Sequence, residues 1–179
     1  MRIIKLFFIS AFVFGALIFG LSLLFPSTAV VERAGTIEAP VDSVFAVINN
    51  LRTWERWNPW LAPDAAQQVQ YAPNPAGKDA WYTWSNPQYP GSLGKTTIIE
   101  SNPQKGVYYR LDYKGMKTTI GGLEIRGTED RKGTAIRWYL KTELGLTPWW
   151  KLRGFMADRI MGPQIEQGLT KLKQTCEGH

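Results

Sequence analysis

The residue types that most often perform catalytic or metal chemistry are scarce in this chain of 179 residues, which has one cysteine and one histidine. Cys176 has no second cysteine with which to form a disulfide or a multi-cysteine metal site. His179 is the last residue of the sequence, where chain ends usually fray. These facts exclude Ser–His–Asp chemistry, Cys–His chemistry and histidine metal clusters within one subunit. We therefore predict neither a metal nor a cofactor.

Carboxylates beside basic residues are the remaining candidates for acid–base chemistry. Asp112 with Arg110, and Glu124 with Arg126, fall on the side that alternation predicts to face water. A catalytic carboxylate needs apolar neighbours that tune its pKa. Exposed charges on adjacent strands instead favour ion pairs, which contribute little energy. We favour ion pairs and predict no catalytic residue.

The aromatic side chains suit the binding of a hydrophobic ligand. Trp54, Trp57 and Trp60 are three residues apart, so two or three of them share one side of a helical turn. An interior lined by aromatic rings with a few donors is typical of small-molecule sites. The predicted ligand-binding residues are Trp57, Trp60, Trp84, Tyr109, Tyr113, Trp138, Phe155 and Met156. The alternative is that these side chains simply pack the core.

The first segment is apolar enough to cross a membrane. Residues 6–25 carry no charge, and about twenty helical residues span roughly 30 Å, the thickness of a bilayer core. Arg2 and Lys5 precede the segment, so the positive-inside rule places the amino terminus in the cytoplasm. We predict an anchor over residues 1–26 and a main domain over residues 27–179. Cleavage after Ala29 as a signal peptide is the alternative.

The main domain shows one strand, two short helices, a run of strands and a long helical region, which is an α+β pattern. Short Pro-, Gly- and Asn-containing gaps favour an antiparallel meander. The predicted strands are residues 30–38, 67–72, 80–86, 95–101, 106–114, 118–129 and 134–144. Alternation places Tyr109, Tyr113 and Trp138 on the dry face of the sheet. That face needs a cover.

The carboxyl-terminal region offers that cover as two helical stripes. The stripes are Leu152, Phe155, Met156 and Ile160, followed by Ile165, Leu169, Leu172 and Cys176. Gly162-Pro163 lies between them and is expected to kink or break the helix. Phe155 and Met156 are predicted to face the same space as the aromatic strand residues. Trp149 and Trp150, beside Lys151 and Arg153, suit either a membrane interface or a cap on the sheet.

The order of elements and several short stretches resemble the START/Bet v 1-like (SRPBCC) superfamily, in particular its bacterial polyketide cyclase/dehydrase-type members with an amino-terminal membrane segment. The stretches are Val31-Glu32-Arg33, Ile37-Glu38-Ala39-Pro40, Trp54, Trp57-Asn58-Pro59-Trp60, Gly133 to Trp138, Leu144-Gly145-Leu146 and Met161 to Leu169. The similarity covers about Val30 to Lys173. It implies a helix-grip fold, in which a curved antiparallel sheet wraps a long carboxyl-terminal helix and encloses an apolar cavity.

The resemblance also implies binding of lipids, sterols, polyketides or other hydrophobic molecules, with catalysis in a minority of members. No catalytic motif of the superfamily transfers to this chain residue by residue. We predict a membrane-anchored domain outside the cytoplasm, on the inner membrane, that binds a hydrophobic small molecule or lipid. Two alternatives stay open: a cyclase or dehydratase on a polyketide-like or aromatic substrate, and a scaffold without ligand. A net charge of +6 without a basic run argues against nucleic acid.

Overall fold

The computed structural model describes residues 2–61, 67–88, 91–129 and 132–178. His179 lies outside the described residues, as do Pro90 and Arg131, which belong to the predicted gaps between strands. The elements follow the chain in the order α1 (Arg2–Ser22), β1 (Thr28–Ile37), α2 (Val41–Asn49), α3 (Trp54–Trp57), β2 (Gln68–Tyr71), β3 (Trp81–Ser85), β4 (Gly94–Asn102), β5 (Gly106–Tyr113), β6 (Thr119–Gly127), β7 (Thr134–Glu143) and α4 (Pro148–Glu177).

The strands form one seven-stranded sheet in the order β1-β7-β6-β5-β4-β3-β2, and neighbouring strands run antiparallel. The strands β2 to β7 form a meander, because each pairs with the next along the chain. β1 closes onto β7, with Val31 opposite Leu140 and Ile37 opposite Thr134. The α+β helix-grip fold predicted from the sequence is confirmed.

Helix α4 covers the inner face of the sheet with its carboxyl-terminal half. Ile165 and Leu172 are fully buried there, and Leu169 and Cys176 pack against the same core. Arg33 on β1 reaches over α4 and forms ion pairs with Asp158 at 2.8 Å and Glu166 at 2.6 Å. These contacts position the helix along β1, at the edge of the sheet.

Two expectations about α4 are wrong. The helix runs without interruption through Gly162 and Pro163, so of the expected kink or break at this point the break is not present. Because the helix is continuous, its two apolar stripes cannot turn toward the sheet independently. The side chains of Leu152, Phe155 and Ile160 are 50–70 % exposed and do not cover the sheet.

Helix α1 is held to α4 by a buried lysine. The ammonium group of Lys151, 3 % exposed, donates hydrogen bonds to the carbonyl oxygens of Ser22 at 3.1 Å and Phe25 at 3.0 Å. Ser22 is the last residue of α1, and Phe25 follows it by three residues. A cation is favourable at this end because the last carbonyls of a helix lack helical partners and carry negative charge. The Phe25 ring contacts the Phe155 ring edge to face at 5.6 Å.

The short helices close the end of the sheet remote from α1. Thr134, at the start of β7, donates its hydroxyl to the carbonyl oxygen of Ala39 at 2.7 Å. Ser101, near the end of β4, donates to the side-chain oxygen of Asn49 at 2.6 Å. Helix α2 lies across β5 and β6, with Val44 and Ile48 fully buried.

Candidate functional site: an aromatic inner face

A connected set of aromatic rings fills the centre of the inner face. Trp54 and Trp57 are supplied by α3 and lie 5.1 Å apart between ring centroids. Trp57 contacts Trp138 of β7 edge to face at 5.3 Å, and Trp54 contacts Tyr109 of β5 at 4.9 Å. The indole nitrogen of Trp138 donates a hydrogen bond to the hydroxyl of Tyr109 at 2.7 Å. We call these four residues the inner cluster.

Glycines on neighbouring elements make room for these rings. A Cβ atom at Gly121, opposite Tyr109 on β6, would lie 2.1 Å from its ring. A Cβ atom at Gly168 of α4 would lie 2.4 Å from the Trp138 ring. The sheet and α4 therefore approach the rings closely enough to leave no room for a side chain at either position.

The inner cluster is sealed. Trp54, Trp57 and Trp138 have an exposed fraction of 0 %, and Tyr109 has 1 %. Within the described part of the chain, no water-sized space therefore borders the three tryptophans, and almost none borders Tyr109. The apolar cavity that the superfamily resemblance implies is occupied at this depth by aromatic side chains.

The rings continue from the inner cluster toward one end of the sheet and become progressively exposed. Tyr82 of β3 contacts Trp54 at 6.2 Å and Trp84 at 5.5 Å, and Trp84 contacts Tyr113 at 5.8 Å. Tyr82 is 2 % exposed, Trp84 is half-buried and Tyr113 is 41 % exposed. We call Trp84 and Tyr113 the rim.

The rim lies at the end of the sheet where α1 joins. Tyr113 is the last residue of β5, and Gly94, its partner at the start of β4, also pairs with Trp84. At the same end β1 begins at Thr28 and β7 ends at Glu143. Antiparallel pairing therefore puts the rim and the α1 junction at one end, and α2 at the other.

Of the remaining predicted site residues, Trp60 lies at the boundary of the core, whereas Phe155 and Met156 lie on the surface. Trp60 is half-buried, contacts Trp138 at 5.6 Å and donates its indole N–H to Gln164 on α4 at 2.7 Å. Phe155 and Met156 are 70 % and 46 % exposed. The expectation that these two side chains face the interior is wrong, since they lie on the outward side of α4. The structure thus brings together the other six predicted residues.

One polar atom in the inner cluster has no partner. Among the described residues, the indole nitrogen of Trp57 is buried without a hydrogen-bond acceptor. The equivalent nitrogen of Trp54 donates to the carbonyl oxygen of Ile48 at 2.9 Å. An unpaired buried donor costs about 1–3 kcal/mol, so Trp57 carries an unused capacity to bind an oxygen atom. No sequence pattern distinguishes it from Trp54.

Charged groups lie away from the aromatic interior. Asp112 pairs with Arg110 at 2.8 Å, and Glu124 pairs with Arg137 at 2.8 Å, on the outer face of the sheet. Within the described ranges, no carboxylate and no imidazole belongs to the buried polar side chains, which are Ser22, Asn58, Thr96, Thr134 and Lys151. Burial raises the pKa of Tyr109 above its ordinary range, an effect that the hydrogen bond from Trp138 opposes. The inner cluster therefore carries no ionised side chain at physiological pH.

An open depression of about 890 Å³ lies on the opposite face of the sheet. Tyr108, Glu124, Arg126 and Arg137 line it together with small residues of β1 and β7. Its charged lining suits water better than an apolar ligand. The aromatic inner face is therefore the better candidate for a hydrophobic ligand. No group of His, Cys, Asp and Glu side chains suited to a metal ion occurs among the residues described.

A curved antiparallel sheet that grips a long helix around an aromatic interior defines a helix-grip protein. The family described as "Polyketide cyclase / dehydrase and lipid transport" matches residues 28–177, and the chain belongs to this family. The family fits a domain that binds hydrophobic ligands. No curated protein matched the chain in a sequence comparison.

Solved structures share the fold at low sequence identity. A protein of unknown function from Staphylococcus aureus is 12 % identical, with a TM-score of 0.63 over 84 % of this chain and 94 % of that chain. Norcoclaurine synthase from Thalictrum flavum, in complex with dopamine and hydroxybenzaldehyde, is 10 % identical, with a TM-score of 0.61 over 88 % of this chain and 91 % of that chain. At these identities the likeness shows the fold alone.

Proposed function

We propose that the protein is a membrane-anchored domain that binds a hydrophobic small molecule or lipid at the aromatic inner face of its sheet. The observation that carries this proposal is the continuous run of rings from the sealed inner cluster to the exposed rim. Tyr113 at the rim is 41 % exposed, whereas Trp138 in the inner cluster is 0 % exposed. Membership of a family described by lipid transport supports the same class of ligand.

Helix α1 serves as the anchor in this proposal. Ile3–Ser22 is long and apolar enough to cross a membrane, and Ser22 at its end is its one residue buried against the rest of the described chain. Exposure of so large an apolar surface to water is unfavourable, whereas the apolar interior of a bilayer accommodates it. Arg2 and Lys5 precede the apolar segment, so the positive-inside rule supports an amino terminus in the cytoplasm and a main domain outside it, at the inner membrane.

The ligand approaches the inner face from the rim. The opposite end is closed by α2, which is fixed through Thr134–Ala39 and Ser101–Asn49 hydrogen bonds. An apolar ligand body stacks on Trp84 and Tyr113, where ring surface is already accessible. Deeper binding requires the inner cluster to move, and a ligand oxygen that reaches Trp57 would satisfy its unpaired indole N–H.

The magnitude of such binding is modest. Burial of ~300 Å² of apolar ligand surface at ~25 cal/mol/Å² contributes ~7 kcal/mol before the costs of association. Those costs are several kcal/mol, which leaves an affinity in the micromolar range or weaker. A ligand bound this weakly dissociates readily and can therefore exchange with a membrane.

A binding titration tests the proposal on the full-length chain in lipid nanodiscs. The probe is a fluorescent fatty acid, and the variant is Trp84→Ala combined with Tyr113→Ala. The matched control is Tyr139→Ala, because Tyr139 lies over Gly122 on the outer face much as Trp84 lies over Gly94 on the inner face. Loss of the rim should weaken binding about tenfold or more, while the control should bind as the parent does. Equal binding by all three proteins, or none by the parent, would refute the proposed site.

A further inference from the structure

The outward side of α4 changes character halfway along the helix. In the first half, the outward side chains are Trp149, Leu152, Met156 and Ile160, which are 46–67 % exposed. At about 100° per residue, these lie on the side of the helix opposite Ile165 and Leu172. The first half of α4 is therefore apolar toward water. We call this set of four residues the outward stripe.

The second half of α4 is an ordinary amphipathic helix. Along the same side, the outward stripe is followed by Gln167, Lys171 and Gln174. The inward side of this half carries the fully buried Ile165 and Leu172. A single helix face is thus apolar near α1 and polar away from it. Four large apolar side chains on one contiguous surface mark an interaction site.

The outward stripe lies beside the point where α1 ends. Lys151, in the first turn of α4, donates hydrogen bonds to the carbonyl oxygen of Ser22 at the end of α1 and to that of Phe25 just beyond it. Phe25 also contacts Phe155, which is 70 % exposed and neighbours Met156. If α1 spans a bilayer, these contacts place the first half of α4 at the level of the lipid head groups.

The charges that flank the outward stripe are cationic. Arg153 and Arg159 lie to either side of it on the helix, and Arg153 stacks on the ring of Trp150 at 5.2 Å. Asp158 is the acidic residue of this half and is engaged by Arg33. An apolar stripe with tryptophan and flanking arginines is typical of a helix that lies in the interface of a membrane with anionic lipids.

We propose that the first half of α4 docks on the surface of the same bilayer that holds α1, with the outward stripe in contact with lipid. This inference rests on the proposed anchor but not on ligand binding. Docking holds the domain against the membrane with the rim end nearest the lipid, because the rim and the α1 junction share one end of the sheet. A hydrophobic ligand would then pass between bilayer and rim over a short path.

The test uses the full-length chain in vesicles of neutral and anionic phospholipid, with a polarity-sensitive fluorophore on a single cysteine. Cys176→Ala removes the native thiol, and three separate variants carry Met156→Cys, Gln167→Cys or Phe14→Cys. Met156 and Gln167 lie on the same side of α4, about 16 Å apart along its axis. Lipids with a nitroxide on the acyl chain quench a fluorophore only where it contacts lipid.

Docking predicts that the label at 156 loses most of its emission to the nitroxide lipid, that the label at 167 does not, and that the label at 14 does. Replacement of Arg153 and Arg159 by Gln should weaken quenching at 156. If only the label at 14 were quenched, α1 would span the membrane but α4 would not dock on it, and the docking proposal would be wrong. Quenching at none of the three positions would overturn both. A blue-shifted but unquenched label at 156 would show that protein, such as a second copy, covers the stripe, and would also overturn docking.

Discussion

The two ends of the inner face are closed in different ways. At the α2 end, buried side chains and hydrogen bonds such as Thr134 to Ala39 close the sheet. At the α1 end, the half-buried Trp84 and the 41 % exposed Tyr113 form an apolar rim. The aromatic residues between the two ends are sealed. The same residue type is therefore sealed in the core at one depth and accessible at another, where we propose that the ligand binds.

The largest difference is expected between Trp138→Ala and Trp84→Ala. Trp138 is 0 % exposed and contacts Trp57, Trp60 and Tyr109, so its truncation should cost about 3–5 kcal/mol of unfolding free energy. Trp84 is half-buried, and its truncation should cost clearly less. Denaturant unfolding followed by circular dichroism measures both. If the two variants lost the same unfolding free energy, the rim would be as important to the fold as the inner cluster, which would contradict the distinction between them.

Two glycine substitutions sharpen the comparison without removing an aromatic ring. Gly168→Ala places a methyl group 2.4 Å from the confined Trp138 ring and should cost about 1–3 kcal/mol. Gly94→Ala places one 2.1 Å from the Trp84 ring, which can swing toward solvent, so ligand binding should change more than stability. Gly35→Ala meets nothing within 4 Å and serves as the control. A severe loss of stability in Gly94→Ala would show that the rim is as rigid as the core.

A smaller effect is expected from the indole nitrogens of the inner cluster. Trp54→Phe removes the donor to the Ile48 carbonyl, whereas Trp57→Phe removes a donor that has no acceptor among the described residues. Both lose similar ring volume, so Trp54→Phe should be less stable than Trp57→Phe by about 1 kcal/mol or more. Paired unfolding curves give the difference. A reversed order would mean that Trp57 has an acceptor in solution.

The smallest effect concerns the ion pair that holds α4 on β1. The hydrogen bond from Arg33 lowers the pKa of Asp158 below its ordinary 3.8. A carboxyl with a lowered pKa stabilises the folded state above 3.8, and that contribution disappears as the pH falls through the lower, folded-state value. Asp158→Asn should therefore lose slightly more stability at pH 7 than at pH 2. Melting temperatures of both proteins across this range provide the check, and parallel curves would contradict it.

Much of the fold and part of the site followed from strand alternation. The pattern of Val107 to Tyr113 and of Ile136 to Leu140 placed Tyr109 and Trp138 inward, and both are buried. Alternation succeeds here because a strand with one dry face repeats every two residues. Alternation could not predict whether an inward side chain lines a cavity or packs in a solid core. For Trp138 this depends on the close approach of Gly168, a residue of another element.

The prediction that the first helical stripe of α4 (Leu152, Phe155, Met156 and Ile160) covers the sheet is wrong for a specific reason. The expected break at Gly162-Pro163 would have let each half of α4 turn its own apolar side to the sheet. In one continuous helix most of the first stripe lies on the side away from the second. The second stripe faces the core, with Ile165 and Leu172 buried and Leu169 and Cys176 packed against it. The partnerless indole of Trp57 could not be predicted, because it depends on where acceptors of other elements lie.

Native mass spectrometry of the full-length protein, extracted in mild detergent, tests whether the aromatic inner face holds a ligand. The parent should carry a hydrophobic molecule that is released on activation and identified by its mass. The Trp84→Ala/Tyr113→Ala variant should carry little of it, while Tyr139→Ala should carry as much as the parent. A parent protein without any bound molecule, or equal occupancy in all three proteins, would contradict the claim that the rim and aromatic inner face bind a hydrophobic ligand.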